Sequence, residues 1–600
     1  MNILGINAFH GDSSAALLTD GVFRGGIEEE RINRIKHWAG FPAEAIASVL
    51  RLGGAALSDV AHVAISRDPT AHLLDKAIFA FKNRPGLDAI RDRLQNHRRV
   101  GDLAELLDKL AGTHGRFAGK IHNVEHHRAH LASAFYCSPF DEAACLTVDG
   151  FGDFVSSMSA FGRGNRLTII DDVMFPHSLG IFYTAITQFL GFPKYGDEYK
   201  VMGLAPYGKP SFLRQMREIV ALCDDGRFET NLDYFRHASD GVTMSWQNGE
   251  PELGPLWSPC FVSTFGPPRD PAWPITERDY DLAASLQAMY EEAFFHRLNW
   301  LQEKTGLKQL CLAGGCAMNS VANGKVFAKT AFKDVFIQSA AGDAGTSLGA
   351  AQYVWHNELG HPRAFVMEHS YWGPEFSEQQ VVEAIVAAIP GIRPDGGKTS
   401  EGPNGLVVRR VRDDASLIQE TAVALAGGEV VGWFQGRTEW GPRALGNRSI
   451  LADPRRAEMK DALNMRIKRR ESFRPFAPSI LEERVADYFE ESYPDPFMVK
   501  VYPVRPSKRA EIPAVTHVDG SGRLQTVSRA QNPRYWALIK AFEALTRVPV
   551  LLNTSFNENE PIVNTPAEAL SCFLRTQMSR IVMGNWVITR EHDDIRTSLS

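Results

Sequence analysis

Two histidines four residues apart, His126 and His130, stand in the stretch Glu125-His126-His127-Arg128-Ala129-His130, just ahead of the apolar run Leu131–Tyr136. In a helix this spacing puts both imidazoles on one face. Two imidazoles so placed can share one borderline metal such as Fe(II), Zn(II) or Mn(II). Carboxylates at the ends of nearby strands are the natural supply of further ligands. Asp149 closes the apolar run of residues 143–148, and Asp343 opens Gly342-Asp343-Ala344-Gly345-Thr346. The competing reading is a histidine pair that only caps or packs a helix. Near the N-terminus the polar turn of residues 7–14 holds His10 and Asp12, and the charged run Glu28–Lys36 follows a strand, so some of its charges can turn into a cleft. An imidazole titrates near neutrality, which makes His10 the candidate general base; Asp12 and Lys36 join it as candidate catalytic residues.

A second concentration of chemistry lies far down the chain. Arg437, Arg443 and Arg448 sit in Gly436-Arg437-Thr438-Glu439-Trp440-Gly441-Pro442-Arg443-Ala444-Leu445-Gly446-Asn447-Arg448, interleaved with Gly, Pro and Asn, so the segment is not a helix face. Lys468 to Arg474 form a second basic loop. Guanidinium groups converging on loops suit a small polyanion, because Arg holds phosphate oxygens in a bidentate fork. Trp440, Leu445, Phe473 and Phe476 tether these loops to a core, against the alternative of a solvated charged surface. An RNA patch would need a longer basic stripe with aromatic platforms. His517, Arg523, Gln525 and Thr526 read as a polar turn, and the buried strand 549–552 runs into Asn553-Thr554-Ser555. The candidate anion-binding residues of this half are Arg437, Arg443, Asn447, Arg448, Lys468, Arg474, His517, Arg523, Thr526, Asn553, Thr554 and Ser555.

The chain that must position these groups has 600 residues, enough for two or more domains. Hydrophobic residues make up 44% and charged residues 23%, as in an ordinary globular protein. A net charge of −6 gives no electrostatic reason to expect nucleic acid or an anionic membrane as partner. The seven cysteines are scattered, with no CxxC pair, which argues against a disulfide framework or a zinc ribbon and fits a reducing compartment. Met1 to Ile6 enters a strand without a basic or long apolar leader, and no apolar run is long enough to span a bilayer, so a cytoplasmic location is expected.

Asn2–Ile6, Ala15–Leu18 and Val22–Ile27 read as strands joined by Gly, Ser and Asp turns, whose amides can hold a phosphate or carbonyl oxygen. The plan recurs in Ala143–Asp149, the turn Asp149-Gly150-Phe151-Gly152-Asp153, and Ser156–Phe161. Such a recurrence suggests a duplicated nucleotide-binding domain of the actin, sugar-kinase and heat-shock-protein group. Gly314 and Gly315 follow the apolar run Leu310–Leu312, where glycines let an adenosine approach the backbone. Gly342 to Ala350 enters a helix whose N-terminal amides suit an anion. Gly150, Gly314, Gly315, Asn319 and Gly342 are the candidate nucleotide-binding residues. Residues 71–118 are helical in pattern and carry no nameable chemistry, and 224–275 are equally silent. The stretch 360–405, rich in Pro and Gly around a helix over Glu378–Ile389, reads as a junction between domains 1–359 and 406–600. Beyond it Ala415–Ala426 reads as a helix and Val430–Phe434 as a strand.

Taken together, the first turn, the Glu28–Lys36 run, His126 with His130, Asp149-Gly150, Tyr199-Lys200-Val201-Met202-Gly203-Leu204-Ala205-Pro206-Tyr207-Gly208, Ala313–Asn319 and Gly342–Ala350 resemble the O-carbamoyltransferases of nodulation-factor and antibiotic biosynthesis. The resemblance spans nearly the whole chain and is most specific at residues 200–208 and 437–448. One departure is Gly11, which separates His10 from Asp12 where the family more often reads His-Asp. The resemblance implies an α/β fold: a duplicated actin-like domain similar to the threonylcarbamoyl-transferring enzymes of tRNA modification, then a YrdC-like α/β domain. It places the metal ligands on His126, His130, Asp149 and Asp343, with Fe(II) first and Mn or Zn as alternatives, and Mg accompanying ATP. It implies that the second half makes carbamoyl-adenylate from carbamoyl phosphate and ATP, and that the first half passes the carbamoyl group to a hydroxyl of a small-molecule acceptor. No nucleic acid or membrane is expected as partner. The acidic balance and the extra arginine-rich domain disfavour tRNA threonylcarbamoylation. The missing CxxC pairs and acylphosphatase-like N-terminus disfavour a hydrogenase-maturation transferase. A non-enzymatic actin-like nucleotide sensor would need no carbamoyl phosphate pocket.

Overall fold

The computed structural model describes residues 1–83, 103–240, 244–245, 249–392 and 399–590. Parts of the helical stretch 71–118, of the 224–275 region, of the junction 360–405 and of the C-terminal span thus lie outside the described residues. The chain divides into two compact units, Met1–Met367 and Glu368–Ser600.

The first unit is built on two five-stranded sheets with the same plan. In one, β1 (Asn2–Asn7), β2 (Ser14–Thr19) and β3 (Val22–Glu28) form an antiparallel meander, and β4 (Val60–Ile65) and β5 (Lys120–Asn123) extend it parallel to β1, in the order β3-β2-β1-β4-β5. In the other, β6 (Glu142–Gly152), β7 (Val155–Arg163) and β8 (Arg166–Met174) form the meander, and β9 (Gln309–Ala313) and β10 (Asp334–Ile337) run parallel to β6. The central strands are buried nearly throughout, as parallel strands covered on both faces must be. The strand–turn–strand recurrence read from the sequence is therefore a recurrence of whole sheets.

Two helices lock the halves of this unit together. The His126–Phe135 helix packs on β6 and β9, and the Gly345–Tyr353 helix packs on β1, β2 and β4. Where they cross, a Cβ at Gly349 would stand 1.9 Å from the Ala129 carbonyl oxygen, and on the opposite side one at Gly5 of β1 would stand 1.8 Å from the Ser347 carbonyl oxygen. No other residue type permits backbones to approach this closely.

The second unit holds a ten-stranded sheet among the described residues. Its middle runs Arg580–Met583, Val431–Phe434, Arg448–Ala452, Val550–Ser555, Ala477–Leu481, Ser521–Val527. The helices Glu378–Ala388, Asp414–Ala426, Pro533–Thr546 and Pro566–Arg575 contribute to one apolar core. That core begins at Val381 and includes Ile385, Ile389 and Ile392. No helix of the described residues is long and apolar enough to cross a membrane.

Candidate active sites

In the first unit the C-terminal ends of β1, β6 and β9 face one place, where an open α/β sheet binds ligands. The His126–Phe135 helix starts here because Glu125 caps it, its carboxylate accepting from the His127 and Arg128 amides. As the spacing predicts, His126 and His130 share a face: their Nε2 atoms lie 3.0 Å apart. Asp149, leaving the straight part of β6, places Oδ2 2.9 Å from His130 Nε2 and 3.5 Å from His126 Nε2. Asp343, just before the Gly345–Tyr353 helix, places Oδ1 3.4 Å from His130 Nε2 and 3.6 Å from His126 Nε2. The ligand atoms of these four buried residues all lie within 4.8 Å of one another.

This group can hold a metal. Two imidazole nitrogens and two carboxylates form a donor set suited to Fe(II), Mn(II) or Zn(II). The buried Asp343 Oδ1 points at the imidazoles without a hydrogen bond of its own, an orphaned acceptor of the kind a cation satisfies. Burial works against charge on His130, yet Asp149 and Asp343 outweigh it and raise its pKa to about 9. Burial likewise opposes charge on Asp149, but His126 and His130 hold its carboxyl well below the usual range. The intervening His127 is spent on the core, with Nδ1 2.9 Å from the Thr147 hydroxyl and Nε2 2.9 Å from the Val155 carbonyl. Burial keeps that ring neutral.

His10 Nδ1 lies 2.6 Å from Asp343 Oδ2, and its Nε2 3.2 Å from the Phe151 carbonyl oxygen. Burial opposes its protonation, but the Asp343 carboxylate prevails and raises its pKa. A general base needs a vacant nitrogen, and here both nitrogens face acceptors. The arrangement suits a proton donor better than the base expected from the sequence. A cavity of about 110 Å³ beside this ring is lined by His10, Ser66, Arg67, His126, Phe151 and Asp153 among others. Asp12 is drawn away to His37, whose Nδ1 lies 2.7 Å from Asp12 Oδ1, and Lys36 stands next to that pair, half-buried. Asp12, Glu30 and His37 form a second, more open cluster.

The glycines expected to face a nucleotide converge on Asp149. A Cβ at Gly315 would lie 2.9 Å from Asp149 Oδ1, and one at Gly342 4.0 Å from the Gly315 Cα. Gly314 takes a φ of 92° against the Val148 backbone, which a side chain would obstruct. A Cβ at Gly150 would enter open space. Asn319 instead pairs reciprocally with Gln287, at 3.0 and 3.1 Å, and caps the turn that follows.

In the second unit, Glu439 organises the arginine loop from within. Its Oε1 accepts from the amides of Leu445, Asn447 and Arg448 at 2.8, 2.8 and 3.1 Å. Arg448 is fully buried, stacks 3.7 Å over Phe434 and donates to the carbonyls of Gln435, Gly436, Asn447 and Asn564. Arg437 donates to the Trp372 and Gly373 carbonyls. Both arginines thus hold the loop. Asn447 joins in, its amide group bonding to the Arg437 carbonyl and accepting from Asn532.

Burial first, then the charges of Arg443, Arg470 and Arg474, press the pKa of Arg523 well below its usual value, against the opposing pull of Asp495. The Arg523 Nε is buried without a hydrogen bond. Arg523, Gln525 and Thr526 lie on the Ser521–Val527 strand, not in the turn expected from their polarity. A polar strand is possible there because its most buried polar side chains are satisfied: Gln525 Oε1 accepts from Ser479 and Asn553, and Thr526 exchanges bonds with Asp495. His517 closes the turn before it, its amide donating to the Ser521 carbonyl. Asn553, Thr554 and Ser555 end the Val550–Ser555 strand, and the buried Lys468 Nζ donates to Ser555 and Asn557. Arg470, Asp495 and Glu439 were missed. Arg470 stood in a run already noted as basic; Glu439 is an acid inside the arginine loop and Asp495 one of several acids in residues 490–495, so neither stands out locally.

Residues 2–352 match the family model described as Carbamoyltransferase N-terminus, and residues 422–590 the one described as Carbamoyltransferase C-terminus. An uncharacterised protein of Synechocystis sp. is 41% identical over 98% of this chain and 97% of its own length. The nodulation protein NolNO of Sinorhizobium fredii is 41% identical over 97% of this chain and 80% of its own. The 3'-hydroxymethylcephem-O-carbamoyltransferase of Amycolatopsis lactamdurans is 30% identical over 79% of this chain and 82% of its own.

Proposed function

Because the chain belongs to the carbamoyltransferase family and is a transferase on that ground, we propose that it is an ATP-dependent O-carbamoyltransferase working in two steps. In the second, YrdC-like unit water cleaves carbamoyl phosphate to carbamate and inorganic phosphate, and the carbamate oxygen then attacks the α-phosphate of ATP to give carbamoyl-adenylate and pyrophosphate. The carbamoyl group then passes, in the first, actin-like unit, to a hydroxyl of a small-molecule acceptor. The observation that carries the first step is the buried, unbonded Arg523 Nε, with the charges of Arg443, Arg470 and Arg474 acting on that side chain. Guanidinium groups stay protonated in proteins, and Glu471 beside Arg474 and Asp495 near Arg523 offset only part of this positive charge, which favours an anion beside them. Carbamoyl phosphate and a nucleotide triphosphate bring several phosphate charges, and these arginines offset the charge that shifts as the anhydride forms. Lys468 and the ends of the central strands complete the wall.

For the second step, the repeated sheets and the glycine-lined edge beside Asp149 support an adenylate site. His126, His130, Asp149 and Asp343 would hold a divalent cation, with Fe(II) the leading choice. Such an ion, when bound, supplies Lewis-acid stabilisation of negative charge on the carbamoyl or phosphate oxygen. His10, held by Asp343 and the Phe151 carbonyl, keeps a proton at the edge of that site and fixes the Asp343 carboxylate beside the imidazoles. The acylated-hydroxyl product is supported by the relative named for O-carbamoylation of a hydroxymethylcephem. A carbamoyl-adenylate exposed to water would hydrolyse, which is reason enough to keep both sites on one chain.

The test is pyrophosphate release from ATP by the full chain with and without carbamoyl phosphate, followed by a mass screen of hydroxyl-bearing acceptors. Release that depends on carbamoyl phosphate, and one acceptor gaining a single carbamoyl group, are expected. Release that ignores carbamoyl phosphate would sink the reading.

A further inference from the structure

Between the metal-ligating cluster and the Asp12–His37 pair stands a side chain that no part of the preceding scheme uses. Tyr195 lies in the loop between the Leu179–Phe189 and Glu198–Leu204 helices, half-buried. A Cβ built on Gly11 would fall 2.3 Å from its hydroxyl oxygen, so the phenol is seated against the turn between His10 and Asp12, in space only a glycine leaves open. Its ring stands edge-on to His37 with centroids 5.3 Å apart, and His37 is fixed in turn by Asp12. Among the described residues the hydroxyl makes no hydrogen bond, although its neighbours are tied down on every side. Burial, then the charges of Asp343, Asp12, Asp149 and Glu198, keep the phenol protonated. The surrounding backbone is strained: Phe9, Asp12 and His37 take left-handed φ values of 59°, 55° and 54°. The left-handed Asp12 and His37 flank the phenol, and such backbone is the kind that folds retain at working sites.

We infer that Tyr195 is a further catalytic residue of the transfer step, its hydroxyl donating a hydrogen bond to the carbamoyl oxygen of the bound carbamoyl-adenylate. The inference rests on the two-step reading above. In that step the acceptor oxygen bonds to the carbamoyl carbon, and the bond from that carbon to the phosphate oxygen breaks with its electron pair on AMP. The acceptor proton is released to water. The Tyr195 proton stays on its own oxygen throughout, and its bond strengthens as negative charge builds on the carbamoyl oxygen. Gly11, where any Cβ would meet the phenol oxygen, is what admits the phenol to the site.

The test uses the full chain loaded with ATP and carbamoyl phosphate labelled at the carbonyl carbon, read by infrared difference spectroscopy and scaled to the pyrophosphate released. In the wild type the carbonyl band of bound carbamoyl-adenylate is expected at lower frequency than in Tyr195→Phe, because a hydrogen bond weakens the C=O bond. Loss of the carbamoyl group from the adenylate should slow by about a hundredfold in that variant, as when one oxyanion donor is removed. Gly11→Ala, which pushes the hydroxyl out and leaves the phenol in the chain, should show the same band displacement. Identical bands in wild type and Tyr195→Phe, with pyrophosphate released by both, overturn the role of Tyr195 alone. A wild type that releases no pyrophosphate overturns the adenylate reading, and this inference with it.

Discussion

Two imidazole Nε2 atoms 3.0 Å apart, both facing carboxylates, cannot all be satisfied by one fixed set of protons. A cation at their centre resolves the conflict, so His126→Ala should leave the protein folded and strip its metal. Elemental analysis after dialysis measures this, and undiminished metal in the variant would show that the ion sits elsewhere. The arginines of the second unit divide by what their donors already meet. Arg523, with an unbonded buried Nε, is expected to contact the anion directly. Arg523→Ala should weaken carbamoyl phosphate binding by about tenfold to a hundredfold, the loss of a charge-assisted contact of about 1.5–3 kcal/mol. Arg448→Ala should instead lower the melting temperature, since it removes a buried donor that ties four carbonyls together. Calorimetric titration and a thermal melt of each variant separate the two roles. The histidine pair and its acids were legible because a helical spacing and a strand end are local facts. The division of labour among the arginines was not, because a guanidinium reads the same in sequence whether it faces a ligand or a carbonyl.

At the scale of elements, the position of Asp343 relative to both histidines depends on one crossing of two helices. A Cβ at Gly349 would meet the Ala129 backbone, which cannot swing aside as a side chain can. Gly349→Ala should therefore cost about 3 kcal/mol, as overpacking of a tight core does, and should weaken metal binding by moving Asp343 off the imidazoles. Chemical denaturation and metal titration check the pair of effects; a variant of full stability would mean that the helices part freely. The meanders were legible as alternating apolar runs and polar turns, and so was the repeat. The strand Ser521–Val527 was not. Its Arg, Gln and Thr read as a turn because the partners that permit their burial, Ser479, Asn553 and Asp495, lie elsewhere in the chain.

For the whole molecule, the two units differ in where their cores begin. The core of the second unit takes in Val381, Ile385, Ile389 and Ile392, all ahead of residue 406. A fragment starting at Glu368 is expected to fold, whereas one starting at Leu406 should lose about 1.5–3 kcal/mol for each missing buried side chain. Circular dichroism melts of the two fragments decide this, and equal stability would put the boundary after the Glu378–Ala388 helix. The first unit behaves differently despite its repeated halves. Its Gly345–Tyr353 helix is gripped by β1 of one half and by the His126–Phe135 helix carried on the other, backbone against backbone on both sides. Neither half can melt without releasing that helix, and releasing it exposes the other. Residues 1–367 should accordingly unfold as a single cooperative block, with one calorimetric transition where two sheets of identical plan would suggest two. A repeated sheet plan has in this way been welded into one thermodynamic unit, and the amides of the welded helix should be among the last in it to exchange with solvent.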